Sequence, residues 1–512
     1  MVNNLNLNIK LTDMKKLILG FSLLLALVSS ANNIQVTNVS VVPANSTIRF
    51  TISWDNGWRS SVLNNWDAAW VFLKYYNPIS QTWTHLNFTG TSNVVPGGFT
   101  ADPGLNITTA VGYFLYRSAV GSGTTTITNV ELGIPAQQAS GVYDIKVFAI
   151  EMVYVPQADF YVGDGVSLSR YSNSAGSTAP GLITSSGVGS VYDPHIPGFI
   201  SSVSPGFPTG YNDFYMMKYE LTQGAYRDFL NCLTYTQQAN HTASAPNAAI
   251  GTAAVGTGFR NFLEIRTQGV STTTPAVYGC DADADNVFDE STDGEWAACN
   301  YLNWPDQAAY LTWAALRPLT ELEYEKACRG IQIPIAGEFA WGNTNVAATP
   351  YTITGIGTNA ESVSNAAASP TGNAVLAGTV TNIVLRNGIF ATATSNRISS
   401  GGGFYGAMEL TGNIWERCIA THNGSGFGGN HGNGGLTAAG YSPLLGGWPG
   451  FNGATNSIDG GVNADGLINR GGAYYIPAGT GGANVSYRMG LILGTDVARN
   501  AFNGIRGGRT AP

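Results

Sequence analysis

Glu409-Leu-Thr-Gly-Asn-Ile-Trp-Glu416 is the stretch around which the chain is organised. Two carboxylates flank a Gly-Asn turn, and a large aromatic stands before the second acid. Glycine permits positive φ and close backbone approach, so Gly412 and Ile414 can turn carbonyl oxygens toward the point that Glu409 and Glu416 also reach. Oxygen ligands of this kind suit a hard cation such as Ca²⁺, with Trp415 fixing the corner in the core. The competing reading is a buried glycine turn with two solvated acids, because one short segment supplies fewer oxygens than a hard-ion site requires.

Outward from this corner, other segments recur in a fixed order. Before it come Glu151-Met-Val-Tyr-Val-Pro156, Phe214-Tyr-Met-Met-Lys-Tyr-Glu220, Arg317-Pro-Leu-Thr-Glu-Leu-Glu323 and Phe339-Ala-Trp-Gly-Asn343. After it come Asn469-Arg-Gly-Gly-Ala473, Ser486-Tyr-Arg488 and Gly504-Ile-Arg506. The set resembles the formylglycine-generating (sulfatase-modifying factor) family over roughly residues 150 to 509. That resemblance implies a loop-rich α+β domain related to C-type lectins. It also places Glu409, Gly412, Ile414 and Glu416 at the family's Ca²⁺-ligand positions, with Glu409 replacing the usual Asn.

The family's oxidase activity depends on two cysteines near the C-terminus that bind Cu(I) and form a disulfide with the substrate thiol. Here residues 474–488 hold no cysteine, and Ser486 stands where the second would be. A hydroxyl cannot replace a thiolate for so soft a metal, so no copper is expected. Nor do the five histidines show a His-x-x-x-His pair, and neither a Gly-x-Ser-x-Gly elbow nor a phosphate loop is present.

With 512 residues the chain has room for two or three domains, and its formal net charge of -8 offers no basic patch for nucleic acid. Lys15 and Lys16 precede an apolar run from Leu17 to Val28 and then Ser29-Ser-Ala31, the layout of a cleaved signal peptide. The run is shorter than the roughly 20 residues that span a bilayer, so the mature chain, starting near Asn32, is expected to be secreted: periplasmic, cell-surface or extracellular. Five cysteines follow, an odd number for an exported protein, and Cys280 with Cys299 is the expected pair.

Residues 32–149 read as an all-β, Ig-like sandwich. Thr47 to Trp54 alternates apolar and polar, Ala69 to Tyr75 is a buried run, and Asn, Gly, Ser and Pro clusters separate the strands. Alternation puts Trp54 and Trp70 inward in that sandwich. Residues 150–512 form the family-like domain, with insertions near 235–300 and 422–468. In the first, Asp281-Ala-Asp-Ala-Asp-Asn-Val-Phe-Asp289 spaces carboxylates as an EF-hand loop does: Asp281, Asp283, Asp285, the Val287 carbonyl and Asp289 would hold Ca²⁺. Asn286 replaces the turn glycine and Thr292 the terminal Glu, with Glu290 or Asp293 as the candidate substitutes for that last ligand.

Helices are expected over 220–233, over 306–316 with Asp306 as N-cap, and after Thr320, where Thr320-x-x-Glu323 is a capping box and Gly330 the stop. Glu321, Glu323 and Glu325 then serve capping and a solvated helix face. A binding surface is expected from Trp448 and Phe451 of the Gly-rich loop together with Tyr474, Tyr475, Ser486 and Arg488. The function expected is a secreted or cell-surface bacterial protein that is non-catalytic and acts as a calcium-stabilised scaffold, for a protein or glycan partner or for self-assembly. The alternative is a divergent oxidase acting on protein cysteine, with Cys418 and another cysteine brought near in space.

Overall fold

The computed structural model describes residues 33–104, 110–189, 191–195, 198–199, 203, 206–422, 426–441, 446–452, 457–458, 465–488, 490–492 and 496–512. The leader expected at residues 1–31 lies outside them. No helix among the described residues is long and apolar enough to cross a membrane.

The first unit is built from long antiparallel strands. β1 (Gln35–Val42) and β7 (Gly121–Gly133) flank β2 (Thr47–Ser60). The last residues of β2 pair with β3 (Asn65–Asn77), and there the sheet folds over itself. β3 carries β4 (Thr82–Leu86) and β6 (Tyr113–Arg117) on one edge and β8 (Ile145–Val155) on the other, with β5 (Phe99–Asp102) beyond β6. The period of two decides the faces. Ile48, Phe50, Ile52 and Trp54 of β2 share one core with Ala69, Val71 and Leu73 of β3. Ala68, Trp70 and Phe72 point the other way, into the core of the second unit.

Trp54 is therefore inward as expected, whereas Trp70 is buried on the opposite face of its sheet. Its Nε1 donates to the Ala314 carbonyl at 2.9 Å. Strands covered on both faces read as continuous apolar runs, which is why Ala69 to Tyr75 shows no alternation. Lys74 closes that face: its Nζ donates to the Trp313 and Gly434 carbonyls, each at 2.7 Å.

β8 runs through the expected boundary at 149/150. Its Met152–Val155 end pairs with β9 (Phe214–Met217), β9 pairs with β14 (Gly507–Thr510), and β14 with β10 (Arg317–Pro318). A single path of hydrogen-bonded strands thus leads from β1 to β10. Beyond it the second unit is loop-rich. β11 (Trp415–Ile419) lies antiparallel to β12 (Leu467–Arg470) and parallel to β13 (Asn503–Gly504). With its strands and a few short helices, the whole is an α+β fold dominated by sheet.

Four α-helices stand among the described residues. α1 (Gln223–Leu230) is capped by Thr222. α2 (Tyr235–His241), in a segment expected to be loop, has a capping box of Thr234 and Gln237. α3 (Trp304–Trp313) starts two residues before the expected Asp306; Asn303 is its N-cap, and Asp306 closes the box from the third helical position. α4 (Glu321–Arg329) begins at Thr320 and stops at Gly330, as read from the sequence. The cysteine expectation is corrected: all five are buried free thiols, and Cys280 is not bonded to Cys299. Both residues are fully buried and belong to the same apolar core.

Candidate functional site

The corner at 409–416 is made by backbone that only certain residues adopt. Gly412 has φ 89° and Asn413 φ 61°. A Cβ on Gly412 would lie 2.6 Å from the Val375 carbonyl oxygen, so glycine is required here twice over. Asn413 Nδ2 donates to Glu220 Oε2 at 2.6 Å, and the Ile414 amide donates to Glu220 Oε1 at 3.2 Å. Glu409 Oε1 accepts the Gly388 amide at 2.7 Å. Glu416 Oε1 accepts from Arg506 Nε at 2.8 Å and Nη2 at 2.6 Å.

Glu220 belongs to this site and was missed from sequence, where it reads only as the start of an amphipathic helix. Burial pushes the carboxyls of Glu220, Glu409 and Glu416 up, Glu409 to about 7, and repulsion from Glu416 adds to the effect on the other two. Glu409 Oε2 and Glu416 Oε2 are buried without a partner. Those two oxygens are the atoms a cation at this corner would take, while Arg506 already holds the other oxygen of Glu416.

Beneath the corner lies a second polar network, on α4. Arg488 makes two bonds to Glu321, at 2.6 and 2.7 Å, and two to Asp193, at 2.7 and 2.9 Å. Burial is the largest influence on both acids and would raise them, yet the charge and hydrogen bonds of Arg488 together with, at Asp193, the hydrogen bonds from His195 outweigh it and hold both below the ordinary carboxylate range. Glu325 accepts from Arg470 at 2.7 Å and from Arg329 at 3.2 Å. The Ser486 hydroxyl sits between them, donating to the Gly163 carbonyl at 2.7 Å and accepting from Arg329 Nη2 at 2.8 Å. Glu323 closes the helix cap and pairs with Arg317 at 2.6 and 2.9 Å. These acids are structural, but the solvated face expected for them is corrected: α4 is buried all round.

The six expected binding residues do not form one surface. Ser486 and Arg488 are locked in the network just described. Tyr474 is buried, facing Phe259 with ring centroids 5.9 Å apart. Trp448 is buried as well, its ring 6.1 Å from Trp304 and its Nε1 on the Asn430 carbonyl, so it is not a presented aromatic. Phe451 is half-buried against the same core. Tyr475 alone is exposed, at 37 %, and its hydroxyl accepts Trp415 Nε1 at 2.9 Å.

In the acidic loop, Asp281, Asp283 and Asp285 each offer an oxygen within 4.8 Å of the others, the only such group of three or more metal-ligating side chains among the described residues. Asn286, at φ 65°, takes the left-handed turn that glycine would supply. Asp281 accepts the Asp285 and Asn286 amides at 3.2 and 2.9 Å, and Asp285 accepts the Val287 amide at 2.7 Å. Asp289 departs from the expected ligand set. Its carboxylate turns to Arg227 at 2.7 Å and Arg266 at 3.0 Å, where paired guanidiniums stabilise it better than three more anions would. Asp293 is buried nearby with Oδ1 unpartnered.

All five thiols are raised by burial, Cys232 to about 11 and Cys328 to about 12, so the reactive thiolate is disfavoured at each. The family model for the sulfatase-modifying factor enzyme 1-like domain matches residues 202–477, more than half of the chain. The chain belongs to the sulfatase-modifying factor enzyme 1-like family. The organising corner, α4 and Tyr474 all lie inside the matched region, whereas Ser486, Arg488 and Arg506 follow it. Among solved structures, PvdO from Pseudomonas aeruginosa is similar at 12 % identity and a TM-score of 0.30, over 70 % of this chain and 94 % of that one. No curated protein matches.

Proposed function

We propose that this sulfatase-modifying factor enzyme 1-like protein is an exported, non-catalytic scaffold, stiffened by calcium, that binds a glycan or protein partner at the cell surface or assembles there. The observation that carries the reading is Ser486. It stands where the family resemblance places the second thiol, and its hydroxyl is fixed among Gly163, Glu325 and Arg329. The surrounding carboxylates are spent on arginines, so no general base is free to activate it.

Calcium enters the reading at two places. Asp281, Asp283 and Asp285 support the first, where the Val287 carbonyl and Asp293 rather than Asp289 would complete the donor set. At the corner, the orphaned oxygens of Glu409 and Glu416 support the second, where the Gly412 and Ile414 carbonyls would join them. A bound Ca²⁺ would offset the repulsion among these acids and fix long loops that few ladders hold.

Oxygen uptake in the presence of copper and a cysteine-containing peptide tests the central point. The expected rate is that of the buffer. Copper-dependent turnover that disappears in Cys418→Ser would overturn the scaffold reading and establish the divergent oxidase instead.

A further inference from the structure

Where the two units meet, a cleft of about 450 Å³ opens between β2 and the loop 391–408. Trp58 and Asn56 line it from β2, Tyr219 from the turn after β9, and Arg397, Phe404 and Tyr405 from the loop. The Trp58 ring lies against Gly406, where a Cβ would come within 2.6 Å of it, so the missing side chain makes room for the indole. Trp58 is half-buried and keeps part of its surface open.

The two cations of the cleft are differently partnered. Lys218, 5.0 Å from the Trp58 ring centroid, is neutralised by Glu151 at 3.0 Å and Asp67 at 3.2 Å. Arg397 has no ion-pair partner among the described residues; its Nη2 donates only to the Cys328 and Ala340 carbonyls, at 2.9 and 2.8 Å. Three polar atoms of the lining residues are buried without a partner: Asn56 Nδ2, Tyr219 Oη and Arg397 Nε. Each can donate a hydrogen bond, and an unmade bond of this kind costs free energy until an acceptor arrives.

A fitting occupant therefore brings an apolar face for an indole, several acceptors, and one negative charge. A sugar ring bearing a carboxylate has all three in one rigid body, and the volume suits one or two such rings. We propose that the junction cleft binds a terminal hexuronate of an acidic glycan, with its C–H face on Trp58 and its carboxylate toward Arg397. This names a ligand for the scaffold and rests on that reading.

Methyl β-glucuronide and methyl β-glucoside differ only in the carboxylate, and titrating each into the full mature chain, followed by saturation-transfer NMR, separates charge from ring recognition. The glucuronide should bind at least about tenfold tighter. Asn56→Asp should abolish that preference by placing a like charge in the cleft; both Asn and Asp tolerate the φ of 53° at this position, so the fold is kept. Trp58→Ala should weaken both sugars by about tenfold. Equal binding of the two sugars, absence of binding, or binding indifferent to Asn56→Asp would each overturn the proposal. Such a failure would leave the oxygen-uptake result untouched, whereas copper-dependent turnover would end the scaffold reading itself.

Discussion

Glu151 and Asp67 converge on the Lys218 ammonium at a point from which solvent is nearly absent. Burial outweighs the lysine's attraction and lifts the Glu151 carboxyl from 4.5 to about 7. Between those values the folded chain holds a proton that the unfolded chain has lost, so the stability this residue contributes falls as pH rises through the window. Glu151→Gln removes the titration. Urea denaturation should show the variant gaining on the wild type by about 3 kcal/mol from pH 4.5 to pH 7.5, and a gap that does not change with pH would refute the shift. Little of this pairing was legible beforehand. Ser486 could be placed by its motif, but the acids it and Arg488 meet are 161 and 167 residues away along the chain, and nothing local marks them as partners. Glu220 was hidden in the same way, 193 residues from the Asn413 side chain it accepts from.

At the scale of elements, what sequence discloses is what short-range chemistry fixes. The Thr320 capping box and the Gly330 stop were readable because cap and partner lie within one turn. Thr234-x-x-Gln237 carries the same signature, yet α2 is only seven residues long and too short to display an apolar period, so its start was passed over. The acidic loop was readable by its spacing, although the arginines that draw Asp289 away come from α1 and from the hairpin strand Leu263–Thr267. A test belongs here. Calcium at roughly 100 times its Kd should stabilise the chain by about 2.7 kcal/mol, seen as a higher melting temperature that chelator reverses. In Asp281→Asn/Asp283→Asn/Asp285→Asn the share due to the loop should vanish, and any remaining response reports on the corner at Glu409 and Glu416. A wild type whose melting is the same with and without chelator would remove both sites.

Across the whole molecule, the run Ala69 to Tyr75 reads as a buried strand, but that its two faces enter different cores is not legible locally. The sheet that continues through β8 into β9 joins residues some sixty apart in a register no local pattern encodes. Because β8 is laddered to β3 along most of its length and to β9 at its end, the two units should unfold in a single transition, with calorimetric and van't Hoff enthalpies in agreement. Two resolved transitions would show that the units are independent. The shared strand also bears on mechanics. A tug on the first unit is handed along rows of backbone hydrogen bonds into the neighbouring one. Under load such a chain would act as one stiff link rather than two beads on a string.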